Sequence, residues 1–331
     1  MRPAVGFRLL SGVALLAVIS LAGCSSTPKP AAAATKHHPA PYLRMAQTPT
    51  NVVALEVAMR RFEPSKRHQP VVWTVAASHI GEPRYYAELQ TELEQQSVVL
   101  FEGVGGIPRK YSERPKDGIG SLQVNLAHAL GLVFQLDAID YDKPNFQNSD
   151  MSIEQISRAL SSGSSDPAPE HQFQELISVM NGSSLFGMAL NFGINLIGAS
   201  PHLQAMTKLV FIETLGQLQG DLAQTKGLPA GLRSVVLTLI HDRNKVVLDD
   251  LQKLSTLRPR PKSVAIFYGA GHMDNLEQRL VDDLGYRPAG EKWLRAFSVD
   301  LKQAELTSAD VSMVHTMVSW QMRQLNNSDG Q

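Results

Sequence analysis

The sequence has one cysteine, no excess charge of either sign and none of the short motifs that mark the common hydrolases. With Cys24 alone among 331 residues, the chain beyond it has no disulfide, no thiol nucleophile and no cysteine-based metal site. Lysine and arginine (31) balance aspartate and glutamate (31), which excludes the basic footprint of a nucleic-acid-binding protein. The absence of Gly-x-Ser-x-Gly disfavours a serine hydrolase of that type, and the absence of His-Glu-x-x-His excludes a zincin.

The N-terminus has the pattern of an export signal. Two arginines precede an apolar run over residues 9–21, which is too short for an ordinary spanning helix. The run ends in Leu-Ala-Gly-Cys24, which resembles the lipobox of bacterial lipoproteins. That resemblance implies a signal peptide over residues 1–23 and lipidation of Cys24; the alternative is an ordinary signal peptide with an incidental cysteine. The residue after Cys24 is Ser25 and not an aspartate. In bacterial lipoproteins this implies that the protein is anchored in the cell envelope at the periplasmic face of the outer membrane.

The rest of the chain divides into a tether and a folded region. Residues 24–46 are rich in Ser, Thr, Pro and Ala and predict a flexible tether, and the domain is expected over residues 47–331. A helix is predicted over residues 51–62. Strand and helix patterns alternate at both ends of the domain, which favours an α/β sheet covered by helices. The block at about residues 150–256 predicts an inserted helical cap, in which residues 185–198 form a mobile cover or a membrane-facing segment.

Three predicted strands end beside a side chain that can do chemistry. His79 follows the apolar run over residues 71–77, and Glu102 ends the run that starts at Ser97. His272 follows the strand pattern of residues 264–268 and a Gly-Ala-Gly turn. Because ligands of open α/β sheets bind beyond the carboxyl ends of the strands, these three residues form a candidate site. The alternative is that each histidine is a hydrogen-bonded structural residue.

Two histidines and one carboxylate suit a catalytic metal ion. His79, His272 and Glu102 match the ligand set of zinc hydrolases that keep a position open for water, and they suit Mn²⁺ or Co²⁺ equally. A bound ion lowers the pKa of its water and polarises a carbonyl group. Glu102 and Arg243 are the candidate catalytic residues, with the Arg243 guanidinium facing an oxyanion or a substrate carboxylate. Asp150 is a further candidate ligand or base.

Arg243 also has a purely structural alternative. Nearby carboxylates on the same predicted helix can pair with it: Asp242, Asp249 and Asp250.

Taken together, these pieces resemble the TraB/GumN family, which includes the Tiki proteins. The matching pieces are Ala-Ala-Ser-His79, Phe-Glu102-Gly, Arg243-Asn244 and Gly-Ala-Gly-His272, in this order. The resemblance implies a mixed central sheet flanked by helices, as in Tiki and erythromycin-esterase-like proteins, and a metal-dependent peptidase activity. It also links the fold to a haem-binding lipoprotein. The chain departs from the family at Ala76, where the family has glycine, which puts the first half of the site in question if that turn needs a positive φ.

The sequence therefore predicts a lipid-anchored, metal-dependent hydrolase of peptide or other acyl bonds. Its partners would be the membrane, through the lipid, and a peptide or small acyl substrate, with no nucleic acid. The alternative is a non-catalytic lipoprotein that binds haem, iron or a partner protein.

Overall fold

The central element is a mixed sheet of seven strands. The structure, a computed structural model, describes residues 37–103, 121–162, 168–181, 184–217 and 230–327. The predicted signal peptide, Cys24 and the first part of the tether lie outside these residues. The strands of the main sheet are β1 (Leu43–Gln47), β2 (Val52–Pro64), β3 (Val71–Ala77), β5 (Val98–Phe101), β7 (Phe146–Asn148), β8 (Ser263–Gly269) and β9 (Tyr286–Asp300). A separate two-stranded sheet consists of β4 (Ile80–Gly81) and β6 (Val133–Phe134).

Four neighbouring strands of the main sheet run parallel. Their order is β3-β8-β5-β7, and every pair along this row is parallel. On the other side of β3, β2 runs antiparallel and pairs with β9 along its whole length. The sheet is therefore mixed and flanked by helices, and the carboxyl ends of β3, β8, β5 and β7 lie at one edge, where side chains from distant parts of the chain can meet.

The central position of β8 explains its apolar sequence. Residues 264–269 are all buried, because β8 lies between β3 and β5 and has helices over its faces. Parallel strands that are covered on both sides have continuous apolar runs rather than alternating patterns. The same logic makes Val98–Phe101 a recognisable strand in the sequence.

Eleven α-helices occur in the described ranges. They are α1 (Pro83–Glu94), α2 (Ser121–Ala129), α3 (Gln135–Ala138), α4 (Ile153–Ser162), α5 (Ala168–Met180), α6 (Leu185–Gly198), α7 (Pro201–Gly216), α8 (Ala230–Leu237), α9 (Arg243–Thr256), α10 (Met273–Asp282) and α11 (Ser308–Asn327). A π-helical turn, Thr238–Asp242, joins α8 to α9, and a 3₁₀ turn, Ala270–His272, precedes α10.

The predicted helical cap is helical, but part of it belongs to the core. Between β7 and β8, the described residues form helices and no strand. Helix α7 is buried over most of its length and packs against β1, β2 and β9. It therefore covers a face of the sheet rather than the strand ends.

The helix predicted over residues 51–62 is wrong, because this segment is the long strand β2. Its apolar residues matched helical spacing because most positions of β2, on both faces of the strand, are buried. The strand has β9 on one edge and β1 and β3 on the other. Asn51, at φ 63°, turns the chain between β1 and β2.

The prediction that the tether extends to residue 46 is also wrong. Tyr42 and Leu43 are buried, and residues 43–47 form β1 at the side of β2. Residues 37–42, here called the N-terminal arm, are held by buried charges. Arg60, which is 5 % exposed, donates to two backbone carbonyls of the arm, at 2.8 Å each. Composition alone does not reveal this anchoring, because the partners lie far along the chain.

Helix α10 supplies the carboxylate that completes the anchoring of the arm. Glu277 accepts hydrogen bonds from Arg60 Nη1 at 2.9 Å and from the Tyr42 hydroxyl at 2.5 Å. His37 Nε2 lies 2.7 Å from the other oxygen of Glu277. The arm is thus fastened both to the sheet and to α10.

Among the described helices, none is both long enough and apolar enough to cross a membrane.

Candidate functional site

Each of the four parallel strands is followed at its carboxyl end by a polar or ionisable side chain. Glu102 follows β5 directly, His79 lies two residues beyond β3, and His272 ends the 3₁₀ turn after β8. Asp150 lies two residues beyond β7. The predicted meeting of His79, Glu102 and His272 at one sheet edge is observed. Asp150 adds a second carboxylate to this edge, after the three-residue strand β7 that the sequence analysis did not predict.

Glu102 is held on both of its oxygens. Oε2 accepts the backbone N–H of Gly269 at 2.7 Å, and Oε1 accepts Nη2 of Arg243 at 2.6 Å. Burial alone would raise the pKa of Glu102. The charge of Arg243, the nearby imidazoles of His272 and His79, and the Gly269 N–H together lower that pKa well below its usual value. Glu102 therefore stays ionised and is a weak base.

Arg243 stands at the centre of the cluster with all five of its N–H groups occupied. Its Nε and Nη2 donate to the two oxygens of Asp150 at 2.8 and 2.7 Å, and Nη2 also donates to Glu102. Nη1 donates to the carbonyl of Leu239 at 3.2 Å and faces Nε2 of His272 at 3.4 Å. Burial would lower the pKa of Arg243, but the adjacent carboxylates raise it above its usual value. Arg243 is thus in a salt bridge, but with Glu102 and Asp150 from other parts of the chain rather than with the predicted partners Asp242, Asp249 and Asp250.

Local backbone geometry delivers Arg243 to this position. Residues 238–242 form a π-helical turn just before it, a feature that often occurs at functional sites. The bond from its guanidinium to the Leu239 carbonyl ties the side chain to this turn. Asp150, whose side chain is fully buried, also accepts the N–H groups of Gly103 and Met151. Asp150 therefore links the chain after β7, the residue after Glu102 and, through Arg243, helix α9.

The tautomer of His272 follows from its neighbours. The Nδ2 group of Asn244 donates to the His272 carbonyl at 3.1 Å and to Asn275 Oδ1 at 3.0 Å, which fixes the orientation of the Asn244 amide. Asn244 Oδ1 lies 2.8 Å from His272 Nδ1, so Nδ1 carries the proton and donates it. The opposite nitrogen, Nε2, is 3.6 Å from Glu102 Oε1, and its lone pair faces Nη1 of Arg243 at 3.4 Å.

His272 remains uncharged across the physiological pH range. Burial lowers its pKa, the Glu102 carboxylate acts in the opposite direction, and Arg243 and His79 lower it further, to about 3. Its residue exposure is 7 %. A neutral imidazole with an unprotonated Nε2 is able to bind a metal ion or to accept a proton from water, although its low pKa makes it a poor base.

His79 has a parallel arrangement on the more open side of the cluster. Its Nδ1 lies 3.0 Å from Gln135 Oε1, and Gln135 Nε2 donates to the Tyr141 hydroxyl at 2.9 Å. With this orientation of the amide, Nδ1 donates and Nε2 is free. The Gln135 backbone N–H donates to the His79 carbonyl at 2.8 Å, and β4 and β6 hold the two segments together. His79 is half-buried, whereas His272 is buried.

The departure at Ala76 does not distort the site. Ala76 lies inside β3, paired with Tyr268 of β8, and has extended backbone. Among the described residues, the non-glycine residues with positive φ are Asn51 and Glu305. An alanine therefore fits this position without strain.

Gly269 is the position where a side chain would interfere. A Cβ atom at Gly269 would lie 3.2 Å from Glu102 Oε2 and 3.2 Å from His79 Nε2. The glycine therefore allows the carboxylate and the imidazole to approach the same stretch of β8.

Gly269→Ala is expected to lower the free energy of unfolding by roughly 1–3 kcal/mol, because the added methyl group overpacks a buried region. Urea denaturation of both proteins measures this change. An unchanged midpoint and slope would mean that Glu102 and His79 move aside freely, and that the cluster is loosely held.

Sequence reasoning missed the residues that orient the two imidazoles. Asn244 entered only as part of the Arg-Asn pair, without a role, and Gln135 and Asn275 were not identified. The partners of these amides come from remote segments, so no local pattern signals them. Among the described residues, no group of three or more His, Cys, Asp or Glu side chains is arranged closely enough to hold a metal ion as it stands.

No protein-family model, no curated protein and no solved structure matches this chain. The likeness to TraB/GumN proteins therefore remains a prediction from the motifs.

Proposed function

We propose that the chain is a hydrolase of peptide or other acyl bonds, related to the TraB/GumN proteins, with its active site at His79, Glu102 and His272. One observation carries the proposal: each imidazole is bound at Nδ1 by a carboxamide oxygen, from Gln135 or Asn244. With Nδ1 as the donor, a neutral ring carries its lone pair on Nε2, beside the ionised carboxylate of Glu102. Such orientation by a neighbouring group is typical of histidines that bind metal ions or transfer protons.

In the proposed reaction, His79 takes the proton of the attacking water. It is half-buried whereas His272 is buried, and imidazole is the commonest general base in enzymes. Glu102 and His272 are weak bases here because their pKa values are lowered, so their role is to orient the water and the His79 ring. Arg243 has no N–H left for an oxyanion, so it acts through its charge and by holding Glu102 in place.

A divalent ion, Zn²⁺, Mn²⁺ or Co²⁺, fits this donor set in part. His272 Nε2 and Glu102 Oε1 are 3.6 Å apart, close to the roughly 3.4 Å that separates two ligands at about 2.1 Å on one tetrahedral ion. The formal charge of Glu102, Asp150 and Arg243 together is −1, which favours an added cation. The Arg243 Nη1 group contacts the same His272 lone pair and would have to yield it. When bound by His79, His272 and Glu102, the ion would acidify a water molecule and polarise the acyl carbonyl.

The proposed location is the bacterial cell envelope, with the protein anchored by a lipid on Cys24. The support is the charged start, the apolar run of residues 9–21 and the Leu-Ala-Gly-Cys24 pattern. A substrate of the envelope, such as a peptide, would reach the strand ends from the side of His79.

The proposal predicts that His79→Gln lowers kcat/KM by about 10²-fold or more on a sensitive acyl substrate, because the general base is lost. A panel of fluorogenic peptides and nitrophenyl esters identifies the substrate class. The matched control is His171→Gln, at an exposed histidine of α5 whose side chain is 75 % exposed, and its activity should equal that of the unmodified protein.

The same assay, with and without a chelator and with added Zn²⁺, Mn²⁺ or Co²⁺, decides between the two forms of the mechanism. Loss of activity in the chelator, with metal uptake that His79→Gln and His272→Gln abolish, supports the metal form. Chelator-resistant activity supports water activation by His79 alone. Absence of turnover on every substrate, together with a Soret shift on haem titration, would contradict hydrolysis and favour the binding lipoprotein.

A further inference from the structure

Helix α6 exposes a large apolar face. Phe186, Met188, Phe192 and Leu196 are 56 %, 51 %, 64 % and 46 % exposed, although all four are large apolar side chains. The opposite side of the same helix is buried against α2, α5 and α7. A helix that is apolar on all sides is normally enclosed on all sides. One half of α6 therefore lacks the apolar partner that its sequence calls for.

The chain segment that forms this face has no acidic or basic residue other than one histidine, His202. Residues 176–207 contain no Asp, Glu, Lys or Arg, in a chain with 62 (31 plus 31) such residues among 331. Protein–protein interfaces usually have a polar rim around their apolar centre. A face formed by a segment without Asp, Glu, Lys or Arg suits the hydrocarbon of a lipid layer better than the surface of another protein.

We propose that α6 lies on a lipid bilayer and inserts Phe186, Met188, Phe192 and Leu196 into the boundary between headgroups and acyl chains. With 14 residues, α6 is about 21 Å long, whereas the hydrocarbon layer is about 30 Å thick, so the helix lies along the surface. Interfacial helices bury their apolar face about 5–10 Å deep in this region.

The proposed anchor brings a bilayer within reach of α6. Cys24 lies thirteen residues before His37, a distance of at most about 45 Å for extended chain. Helix α7 follows α6 at once and spans about 24 Å to Gly216, which contacts Met45 of β1, next to the N-terminal arm. The inference rests on the proposed anchor only for this reach, and its test uses a chain without the lipid.

The test places an environment-sensitive fluorophore on the face. In the full chain with Cys24→Ser, Phe192→Cys is labelled with a nitrobenzoxadiazole group and mixed with phosphatidylcholine vesicles. The expected result is a several-fold rise in emission with a blue shift, and quenching by doxyl-labelled lipid. Because the face is uncharged, vesicles that also contain phosphatidylglycerol should give the same response at low and high salt.

Arg84→Cys in the same background is the matched control, since the Arg84 side chain on α1 is 88 % exposed. The N-terminal apolar run is present in both labelled proteins, so any binding by that run affects both labels alike. An unchanged label at position 192, or equal responses at positions 192 and 84, would overturn the proposal. A response that follows protein concentration without vesicles would assign the face to a second copy of the chain and would also overturn it. Hydrolysis does not enter the readout, so this test and the activity test fail separately.

Discussion

Arg243→Met is expected to lower the free energy of unfolding by about 3–5 kcal/mol, the usual result of removing one partner from a buried ion pair. The substitution leaves Glu102 and Asp150 in the interior without their counter-charge, 2.6 and 2.7 Å from the missing Nη2 group. Part of the loss should be regained by adding Glu102→Gln, because that change removes one of the uncompensated charges. Urea denaturation at neutral pH measures all three proteins.

An exposed ion pair provides the control for this substitution. Arg84 and Glu88 pair on the surface of α1 at 2.9 Å, and Arg84→Met is expected to change stability by less than about 0.5 kcal/mol. If Arg243→Met cost no more than this control, the carboxylates would not depend on the guanidinium, and the electrostatic account of the site would be wrong.

Acid is expected to destabilise the protein through His272. Its folded-state pKa is about 3, against 6.5 for an ordinary histidine, so between these values the unfolded chain binds a proton that the folded chain does not. The neutral His272 side chain therefore makes its full contribution to the free energy of unfolding above pH 6.5, and this contribution is lost as the pH falls towards 3. Between pH 8 and pH 4.5 the expected loss is about 3 kcal/mol, since each unit of pKa difference that is titrated corresponds to roughly 1.4 kcal/mol.

His272→Asn isolates this contribution, because asparagine can still donate to Asn244 but does not titrate. Unfolding free energies of both proteins, measured in chelator from pH 8 to pH 4.5, should converge as the pH falls. Glu102 has the same sign, since its lowered pKa stabilises the fold above the unfolded value near 4.3, but it acts below this window. Parallel pH profiles would show that His272 is not held neutral by burial.

The parts of the fold that sequence predicts well are those where one physical effect dominates. The strands β3, β5 and β8 are buried on both faces, so each has an apolar run that ends abruptly at a polar residue. The same burial misled the prediction for β2, because a strand with buried residues on both faces satisfies helical spacing as well as strand spacing. The three-residue strand β7 lies in an acidic, turn-rich segment and has too little pattern to detect.

The same distinction holds for the candidate site. The sequence predicted His79, Glu102 and His272, because functional side chains at the edge of a parallel sheet follow the strands directly. The groups that set their chemistry, Gln135 and Asn244, are ordinary amides whose partners depend on how remote segments pack. Arg243 was predicted as a site residue. Its partner Asp150 was only a further candidate, because the strand β7 that places it was not predicted.

The fastening of the N-terminal arm determines where a mechanical load would enter the domain. Tension on the chain ahead of His37 would pass through Arg60 into the middle of the sheet and through Glu277 into α10. Helix α10 starts at Met273, next to His272, so Glu277 lies only about one turn from the site. A protein pulled at its N-terminal arm would thus transmit strain to the helix behind its own histidine.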